Sequence, residues 1–203
     1  MTNTKEALEA NGIYHIYSRA NGFEKLFYKP HHFRYFMNKY HLHISPIAET
    51  YSYCLMPNHF HMVIKIKSVE AINACLSEKL LCPTPAAKSL NEKQHRSRIL
   101  IQQFSNFLNA YSKALNLMIQ RRGSLFMTPI RRKRIHDERY FRATVVYVHL
   151  NPCKAGLCKR PGDWPYSSYR ELLEDGEGLL NRQPVLQHFG TREDFVRAHN
   201  NQG

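Results

Sequence analysis

The amino-acid sequence predicts an α+β fold, in which helices pack on one face of an antiparallel β-sheet. Strand-like and helix-like segments alternate in the order strand, helix, hairpin, helix, basic strand, helix. Strands joined by a hairpin pair antiparallel, and the intervening helices must bury their apolar sides against the sheet. The length of 203 residues suits one sizeable core, and 43% hydrophobic residues are typical of a folded chain. A single domain over residues 1–203 is therefore expected.

The first half of the chain carries a strand, a helix, a hairpin and a short helix. The run IYHIYSR alternates apolar and polar residues with the period of a strand. Pro-Asn is a turn signal, so the strand-like runs on either side of Pro57-Asn58 predict a β-hairpin. The predicted bounds are 13–19 for the first strand, 31–43 for the helix, 49–56 and 60–67 for the hairpin, and 69–81 for the short helix.

The second half carries two longer helices with a basic segment between them. Two prolines and several polar residues predict a flexible loop insert at about 82–97. The later helix has Asp137 as its N-cap and is predicted to stop at Asn151-Pro152. The predicted bounds are 98–121 and 137–150 for these helices, 129–135 for an edge strand or basic loop, and 192–199 for a last helical piece within a C-terminal extension from about 160. This order is that of a ferredoxin-like or RNA-recognition-like sheet.

The charge of the chain favours a polyanionic partner. Lys and Arg number 29 against 16 Asp and Glu, which gives a net charge of +13. A surplus of this size on a small domain favours nucleic acid first and an anionic membrane second. Simple solubility is the alternative explanation of the same charge.

Two features bear on the compartment. No segment approaches the ~20 apolar residues of a membrane span, and the N-terminus lacks the apolar core of a secretory signal. Five cysteines at irregular spacing argue against a disulfide framework, so a reducing cytoplasm is expected. Cys153 and Cys158 could form half of a zinc site, although no Cys/His pair at finger spacing accompanies them.

The sharpest motif is MPNHFH, in which His59 and His61 flank Phe60. Side chains two apart on a strand point to the same face, so the two imidazoles are presented together while Phe60 turns to the core. Two neutral imidazoles suit a divalent metal ion, and a third ligand must then come from elsewhere in the fold. Two solvated or core-packed histidines are the alternative.

A second motif, YVHLNP, opens with Tyr147 and ends at Asn151-Pro152. Positions four apart share a helix face, so Tyr147 and Asn151 lie one above the other. The amide oxygen could supply the third ligand and place the tyrosine beside the metal. A phenol with a pKa of about 10 is a poor nucleophile at neutral pH, and a metal ion that polarises a phosphate offsets this. A core tyrosine and a C-cap asparagine are the alternative.

Together, MPNHFHMVI and YVHLNPCKAG resemble the motifs of the REP-associated tyrosine transposases, single-tyrosine members of the HUH nuclease superfamily. GIYHIYSRANG near the start, RRGSLF after the long helix and DWPYSSY at 163–169 extend the resemblance over nearly the whole chain. The resemblance implies a ferredoxin-like sheet. It also implies an enzyme that cleaves and rejoins single-stranded DNA near hairpins, through a 5′-phosphotyrosine link and a free 3′-hydroxyl.

The resemblance implies roles for individual residues as well. His59 and His61 bind a divalent metal ion, expected to be Mg²⁺ or Mn²⁺, and Asn151 completes the metal site. Tyr147 is the nucleophile. Tyr111 on the long helix competes for that role, because some relatives carry the tyrosine on a differently placed helix, but no amide follows it four positions on. A homodimer is expected, since relatives pair and aromatic-rich helices leave apolar surface to cover.

A basic tract just before the Tyr147 helix is predicted to contact DNA phosphates. Such contacts position a strand without reading its sequence. A solvated basic edge strand is the alternative. The residues of the tract are Arg131, Arg132, Lys133 and Arg134, and Arg121 and Arg122 extend it.

Two other function classes fit parts of the sequence. A catalytically silent nucleic-acid-binding module would keep the charge and the fold without turnover. A replication initiator or relaxase would share the histidine motif, but this chain has no helicase or primase region. The predicted metal-site residues and the tyrosine occur together, which favours the transposase-like enzyme over the silent module.

Overall fold

Four strands form one antiparallel sheet in the computed structural model, which describes residues 6–76, 91–127, 130–174 and 178–200. They lie in the order β2-β3-β1-β4, and each neighbouring pair is antiparallel. One helix follows β1 and another precedes β4, which is the ferredoxin-like arrangement that the order of elements predicts. The strands are β1 (Ile13–Arg19), β2 (Ala48–Met56), β3 (His59–Ile66) and β4 (Arg131–Ile135).

Seven helices and one 3₁₀ turn are present in the described part of the chain. None of these helices is both long and apolar enough to cross a membrane. The helices are α1 (Pro30–Ile44), α2 (Val69–Cys75), α3 (Glu92–Met118), α4 (Glu138–Lys154), α5 (Tyr169–Leu173), α6 (Arg182–Phe189) and α7 (Arg192–Asn200), and the 3₁₀ turn spans Pro161–Asp163.

Helices cover both faces of the sheet, whereas the sequence predicts helices on one face. The first core lies between the sheet and helices α1 and α3, and the second core lies between the sheet and helices α4, α6 and α7. The α+β class and the antiparallel sheet are confirmed. The prediction of one covered face is wrong because β2 and β3 bury side chains on both of their faces, and such strands need a layer of helices on each side. Sheet residues of the first core include Tyr14, Ile16, Phe60, Met62 and Ile64, and those of the second include Cys54, Met56, Val63 and Ile135.

The long helix begins earlier than its apolar pattern indicates. Asn91 accepts a hydrogen bond from the backbone N–H of Gln94 at 2.9 Å, and the Gln94 side chain accepts from the N–H of Asn91 at 3.2 Å. This capping box starts α3 at Glu92, so the last part of the predicted insert at 82–97 is helical. The remainder of that insert, and the predicted continuation of α2 to residue 81, lie outside the described residues.

Helix α4 continues through Pro152, although the sequence predicts that it stops there. Proline lacks only its own N–H, and near a helix C-terminus few later bonds depend on it. The N–H of Ala155 donates to the carbonyl of Asn151 at 3.0 Å, which closes the next turn. Gly156 then ends the helix with a φ of 69°, a conformation that glycine adopts without strain. Asn151 is therefore a helical residue and not a C-cap.

Candidate active site

The two histidines of the MPNHFH motif lie at the start of β3, directly after the Pro57-Asn58 turn of the predicted hairpin. Their rings have centroids 5.1 Å apart and planes inclined at 88°. Phe60, between them, is fully buried in the first core. The two imidazoles therefore share the opposite face of the sheet, which is the face that α4 covers.

Strand β1 adds a third histidine and a tyrosine beside this pair. Tyr17 lies opposite His61 in the β1–β3 register, and His15 is the next residue along β1 on the same face. His15 Nε2 and His61 Nδ1 are 2.9 Å apart and share a hydrogen bond. The ring of Tyr17 stacks on both imidazoles, with centroids 4.9 Å from His15 and 5.6 Å from His61.

Tyr147 stands over this cluster from helix α4. Its ring is edge-on to His61, with centroids 5.4 Å apart, and edge-on to His15 at 5.9 Å. The side chain is 40% exposed, so its hydroxyl can be reached by a large substrate. Helix α4 holds this position because Phe141, Val145 and Val148, on its other side, are buried in the second core. The helix starts where the sequence predicts, since Asp137 accepts from the N–H of Tyr140 at 2.7 Å.

The histidines are held in their neutral forms at neutral pH. Burial, with His15 and His59 alongside, lowers the pKa of His61 to about 2. Burial and the charge of Lys133 lower the pKa of His15 to about 4, and burial followed by Arg19 lowers the pKa of His59. A neutral imidazole keeps one unprotonated nitrogen, which is the form that binds metal ions.

Two adjoining clefts meet at Tyr17 and His61. The histidine cleft, of about 370 Å³, opens toward the start of β3, and the tyrosine cleft, of about 460 Å³, opens toward α4. Both clefts are lined by Tyr17 and His61, and together they are called the groove. The histidine cleft is lined by Tyr17, Ser18, Arg19, Asn58, His59, His61, Met127 and Arg131. The tyrosine cleft is lined by His15, Tyr17, His61, Lys133, Tyr140, Ala143, Thr144 and Tyr147.

The donor set fits a divalent ion bound by two imidazoles and completed by oxygen ligands. His59 Nδ1 donates to Asn58 Oδ1 at 2.7 Å, and His61 Nδ1 shares its hydrogen bond with His15. The Nε2 atoms are therefore the ones left for a metal ion. Across the described ranges, no three His, Cys, Asp or Glu side chains are arranged to hold a metal, so further ligands would be oxygens of other groups.

Asn151 occupies a different place from the one expected for the third ligand. Its Nδ2 donates to the carbonyl of Tyr147 at 2.8 Å, one turn back along α4. Its side chain does not line either cleft as the described residues define them. The structure thus joins His59, His61 and Tyr147 in one site, and leaves the amide of Asn151 lying along the helix.

The predicted basic tract is split by the alternation of strand β4. Arg131 is exposed in the histidine cleft and Lys133 lies in the tyrosine cleft, with its Nζ 4.8 Å from the centre of the Tyr140 ring. Arg132 and Arg134 point to the opposite side. Arg132 is buried and its Nε donates to the carbonyl of Glu6, and Arg134 forms an ion pair with Glu9 at 2.7 Å. The predicted edge strand is confirmed, and only half of the tract faces the site.

The predicted extension of the tract is also divided. Arg121 forms an ion pair with Glu24, and its guanidinium donates to Asn116 Oδ1 at 3.0 Å and to the carbonyl of Gly123 at 2.9 Å. These contacts hold the turn after α3, so Arg121 is a structural residue. Arg122 is exposed.

Tyr111 lies in the first core, on the other side of the sheet from the histidines. It is 1% exposed, and its hydroxyl donates to the carbonyl of Leu26 at 2.5 Å. Burial also raises its pKa. A buried phenol that is hydrogen-bonded to the backbone cannot be reached by a large substrate, so of the two tyrosines only Tyr147 has an accessible hydroxyl.

Cys153 and Cys158 are close together, but they do not form part of a metal site in the described residues. Their Sγ atoms are 3.5 Å apart at the end of α4. Burial raises the pKa of Cys158 to about 12, with Cys153 adding to the effect, so its thiol form is stabilised. The idea of half a zinc site gains no further ligand.

The comparison with known proteins supports the fold. No protein-family model and no curated protein sequence matches the chain. Among solved structures, the chain is similar to one described as a REP-associated tyrosine transposase bound to a REP hairpin. The TM-score is 0.54 at 16% sequence identity, and the match covers 87% of this chain and 93% of the other. The two proteins share a fold.

Three cleft residues of importance were not singled out from the sequence. His15 and Tyr17 lie two apart in the predicted strand IYHIYSR, so their shared face could be read from the alternation. Their contact with His61 could not be read from the sequence, because the β1–β3 register joins segments more than 40 residues apart. Arg19 is exposed at the end of β1. It lines the histidine cleft because the β1–β3 register places it opposite His59.

Proposed function

We propose that this chain is a metal-dependent DNA strand transferase that cleaves and rejoins single-stranded DNA beside a hairpin. The observation that carries the proposal is the contact between Tyr147 and His61, whose ring centroids are 5.4 Å apart in an open groove. A reachable phenol beside two neutral imidazoles is the arrangement that such chemistry needs. The resemblance of both motifs to the REP-associated tyrosine transposases supports it, as does the shared fold with a transposase structure that holds a REP hairpin.

The proposed reaction exchanges one phosphodiester for another. In the first step, Tyr147 Oη attacks the phosphorus of a DNA phosphate, and the bond from phosphorus to the 3′ oxygen breaks. The phenol loses its proton and the departing oxygen gains one, which leaves a free 3′-hydroxyl and a 5′-phosphotyrosine. In the second step, a 3′-hydroxyl attacks that phosphorus and the phenol leaves. Because each bond broken is matched by a similar bond formed, the exchange requires no external energy source.

His59 and His61 are the proposed ligands of a Mg²⁺ or Mn²⁺ ion, through their Nε2 atoms. Asn151 is proposed to add an oxygen, since its hydrogen bond to Tyr147 uses Nδ2 and leaves Oδ1 for a ligand. When bound, such an ion polarises the phosphate and stabilises the charge that develops on it. Imidazole and oxygen ligands with open positions suit these ions better than a closed site of four protein ligands would.

Four cations around the groove are proposed to hold the DNA backbone. Arg19 and Arg131 line the histidine cleft, Lys133 lines the tyrosine cleft, and Lys154 Nζ lies 5.8 Å from the centre of the Tyr147 ring. Charges on both sides of the imidazoles would place a phosphate beside Tyr147 without reading the base sequence. The family resemblance, together with the REP hairpin held by the transposase structure of the same fold, supports a hairpin with a single-stranded flank as the DNA partner.

A catalytically silent DNA-binding module is the second candidate. One observation favours it: the Asn151 side chain lies along α4 and does not line either cleft in the described part of the chain. A site that cannot recruit a third protein ligand would bind its metal ion weakly. The groove and its cations would still bind DNA.

A covalent adduct distinguishes the two candidates. The protein is incubated with an end-labelled oligonucleotide that carries a hairpin and a single-stranded flank, with Mn²⁺ or Mg²⁺ or with EDTA, and is run on a denaturing gel. A strand transferase gives a band of covalently linked protein and DNA that requires the divalent ion. A silent module gives a native-gel shift with each hairpin tested and no covalent band, and that result would end the enzyme proposal.

A further inference from the structure

We infer that His15 is a positioning residue, which accepts a hydrogen bond from His61 Nδ1–H and thereby keeps His61 Nε2 open for a metal ion. The inference rests on the metal-dependent function proposed above, and it concerns a residue outside the two motifs that suggested that function. The starting observation is that His15 Nε2 and His61 Nδ1 are 2.9 Å apart. Both side chains are almost fully buried.

The sheet fixes this contact from both sides. His15 pairs with Val63 on β3 and with Lys133 on β4, so its backbone is held in the centre of the sheet. The two imidazoles are stacked, with centroids 5.0 Å apart and planes inclined at 27°. Tyr17 stacks on His15 and the edge of Tyr147 contacts it, so neither imidazole can turn away without disturbing a packed ring.

The direction of the hydrogen bond decides whether His61 can bind a metal ion. A neutral imidazole has one N–H and one lone pair. If His15 donated to His61, the proton of His61 would lie on Nε2 and block the one nitrogen that the contact with His15 leaves for a metal ion. If His61 donates from Nδ1, Nε2 carries the lone pair. A metal ion can bind His61 Nε2 only when the proton of His61 lies on Nδ1, and His15 Nε2 is the acceptor placed to receive that proton.

His59 shows the same arrangement with a different acceptor. Its Nδ1 donates to Asn58 Oδ1 at 2.7 Å, which leaves Nε2 unprotonated. Metal-binding histidines commonly donate their other N–H to a fixed acceptor, and loss of that acceptor weakens metal binding. We therefore assign Asn58 and His15 the same role, that of hydrogen-bond acceptor for Nδ1–H, at His59 and His61 respectively.

His15 is better suited to orienting His61 than to binding the metal itself. Its Nε2 is occupied by the contact with His61, and the described residues contain no arrangement of three His, Cys, Asp or Glu side chains that could hold a metal ion. The groups that face it are the rings of His61, Tyr17 and Tyr147 and the ammonium of Lys133. A neutral acceptor also adds no charge to the site.

The test compares two substitutions of His15 by Mn²⁺ affinity, measured calorimetrically on the full chain without DNA. His15→Phe keeps a ring in the stack and removes the acceptor, so the dissociation constant should rise by about 10- to 100-fold. His15→Gln restores an acceptor oxygen and should recover most of the affinity. His32→Phe is the control, because His32 is buried in α1, where its Nδ1 accepts from the N–H of Tyr28 at 3.1 Å. It should leave Mn²⁺ affinity unchanged.

Imidazole ¹⁵N spectra of the metal-free protein supply a readout that does not depend on metal binding. His61 should be in the Nδ1–H tautomer in the unmodified chain and should shift toward Nε2–H in His15→Phe. If the unmodified chain binds Mn²⁺ and both His15 variants bind it equally well, the inference is overturned and the proposed function stands. If the unmodified chain binds no Mn²⁺, the metal-dependent function fails. The inference about His15 then fails too if His61 carries its proton on Nε2, and it holds if the proton is on Nδ1.

Discussion

The ring of Tyr147 stands edge-on to that of His61, with centroids 5.4 Å apart and planes inclined at 79°. This contact predicts which hydroxyl attacks DNA. Tyr147→Phe removes one oxygen and keeps the ring, so DNA affinity should change little while the covalent adduct disappears, because phenylalanine has no atom that can attack phosphorus. The measurement is the denaturing gel with labelled hairpin DNA and a divalent ion.

Tyr111→Phe is the matched control for the Tyr147 variant. It removes the same oxygen from a tyrosine whose hydroxyl is buried against the carbonyl of Leu26. The adduct should persist, at the cost of about 1 kcal/mol of folding stability for the lost hydrogen bond. An adduct that survives Tyr147→Phe and is lost in Tyr111→Phe would move the nucleophile to α3.

Loss of a metal ligand should abolish the adduct by another route. His59→Ala leaves Tyr147 in place but removes one of the two proposed imidazole ligands, so the attacking group remains while the metal ion is bound too weakly. Adduct formation should fall below detection at ordinary Mn²⁺ concentrations and return in part at high Mn²⁺. Titration of Mn²⁺ against adduct yield measures this. Full adduct formation by His59→Ala in EDTA would contradict a metal-dependent reaction.

Because Tyr147 contacts the imidazoles of its own chain, one chain should suffice for cleavage. In a mixture of Tyr147→Phe and His61→Ala proteins, the first protein keeps the intact histidine pair and the second keeps the tyrosine. No single chain carries both. Such a mixture should give no adduct, even if the chain forms the homodimer that the sequence suggests. Recovery of adduct in the mixture would show that the tyrosine acts on a partner's site. Light scattering at micromolar concentration measures whether the dimer forms at all.

Local sequence patterns predicted the parts of the site that lie within one element. The two-residue period of β3 placed His59 and His61 on one face, and the helical period of α4 placed Tyr147 opposite its buried side. The contact of His15 with His61 depends on the pairing of two strands distant in sequence, which no local pattern contains. The spacing placed Asn151 one turn beyond Tyr147, although the helix was predicted to stop there and in fact continues to Lys154. The hydrogen bond from the Asn151 amide to the carbonyl of Tyr147 is a side-chain conformation that spacing does not specify.

For the basic tract, the sequence did not predict which residues face the groove. Its four charges were treated as one surface because the segment was read as either a strand or a loop. A strand alternates, and the observed pairing of β4 with β1 sends Arg131 and Lys133 to the groove and the other two to the far side. The alternation rule would have separated them if the strand had been chosen outright.

The split of the tract predicts which charges determine the salt dependence of DNA binding. Each phosphate neutralised on single-stranded DNA contributes about −0.7 to the slope of log affinity against log salt. Arg131→Ala with Lys133→Ala should therefore flatten the slope by about 1.4. Lys93→Ala with Arg134→Ala removes the same charge from the pair that binds Glu9 and should leave the slope nearly unchanged. Equal slopes for the two double variants, measured by fluorescence anisotropy, would show that the groove cations do not contact DNA.

A second histidine pair, buried away from the groove, predicts how stability depends on pH. His199 Nδ1 donates to the carbonyl of Phe195 at 2.7 Å, and its Nε2 is 2.9 Å from His149 Nδ1. His149 Nε2 is 2.8 Å from Ser168 Oγ. Every nitrogen has a partner when both rings are neutral, with His149 donating to His199 and Ser168 donating to His149. A proton added to His199 Nε2 would set two N–H groups against each other.

Burial lowers the pKa of His199 from 6.5 to about 4, against the opposing effect of its hydrogen bond to Phe195, and burial also lowers the pKa of His149. Above pH 6.5, His199 is neutral in both the folded and the unfolded chain. Its protonation then takes nothing from the free energy of unfolding. Between pH 6.5 and pH 4, His199 is protonated in the unfolded chain and neutral in the folded chain. The free energy of unfolding therefore falls by up to about 1.4 kcal/mol per pH unit because of this residue.

His199→Gln keeps polar contacts but does not titrate, so its unfolding midpoint temperature should fall less steeply with pH over this range. His31→Gln, at an exposed histidine, should follow the unmodified chain. Parallel slopes for all three proteins in thermal melts from pH 7.5 to 4.5 would show that this pair does not carry the acid sensitivity.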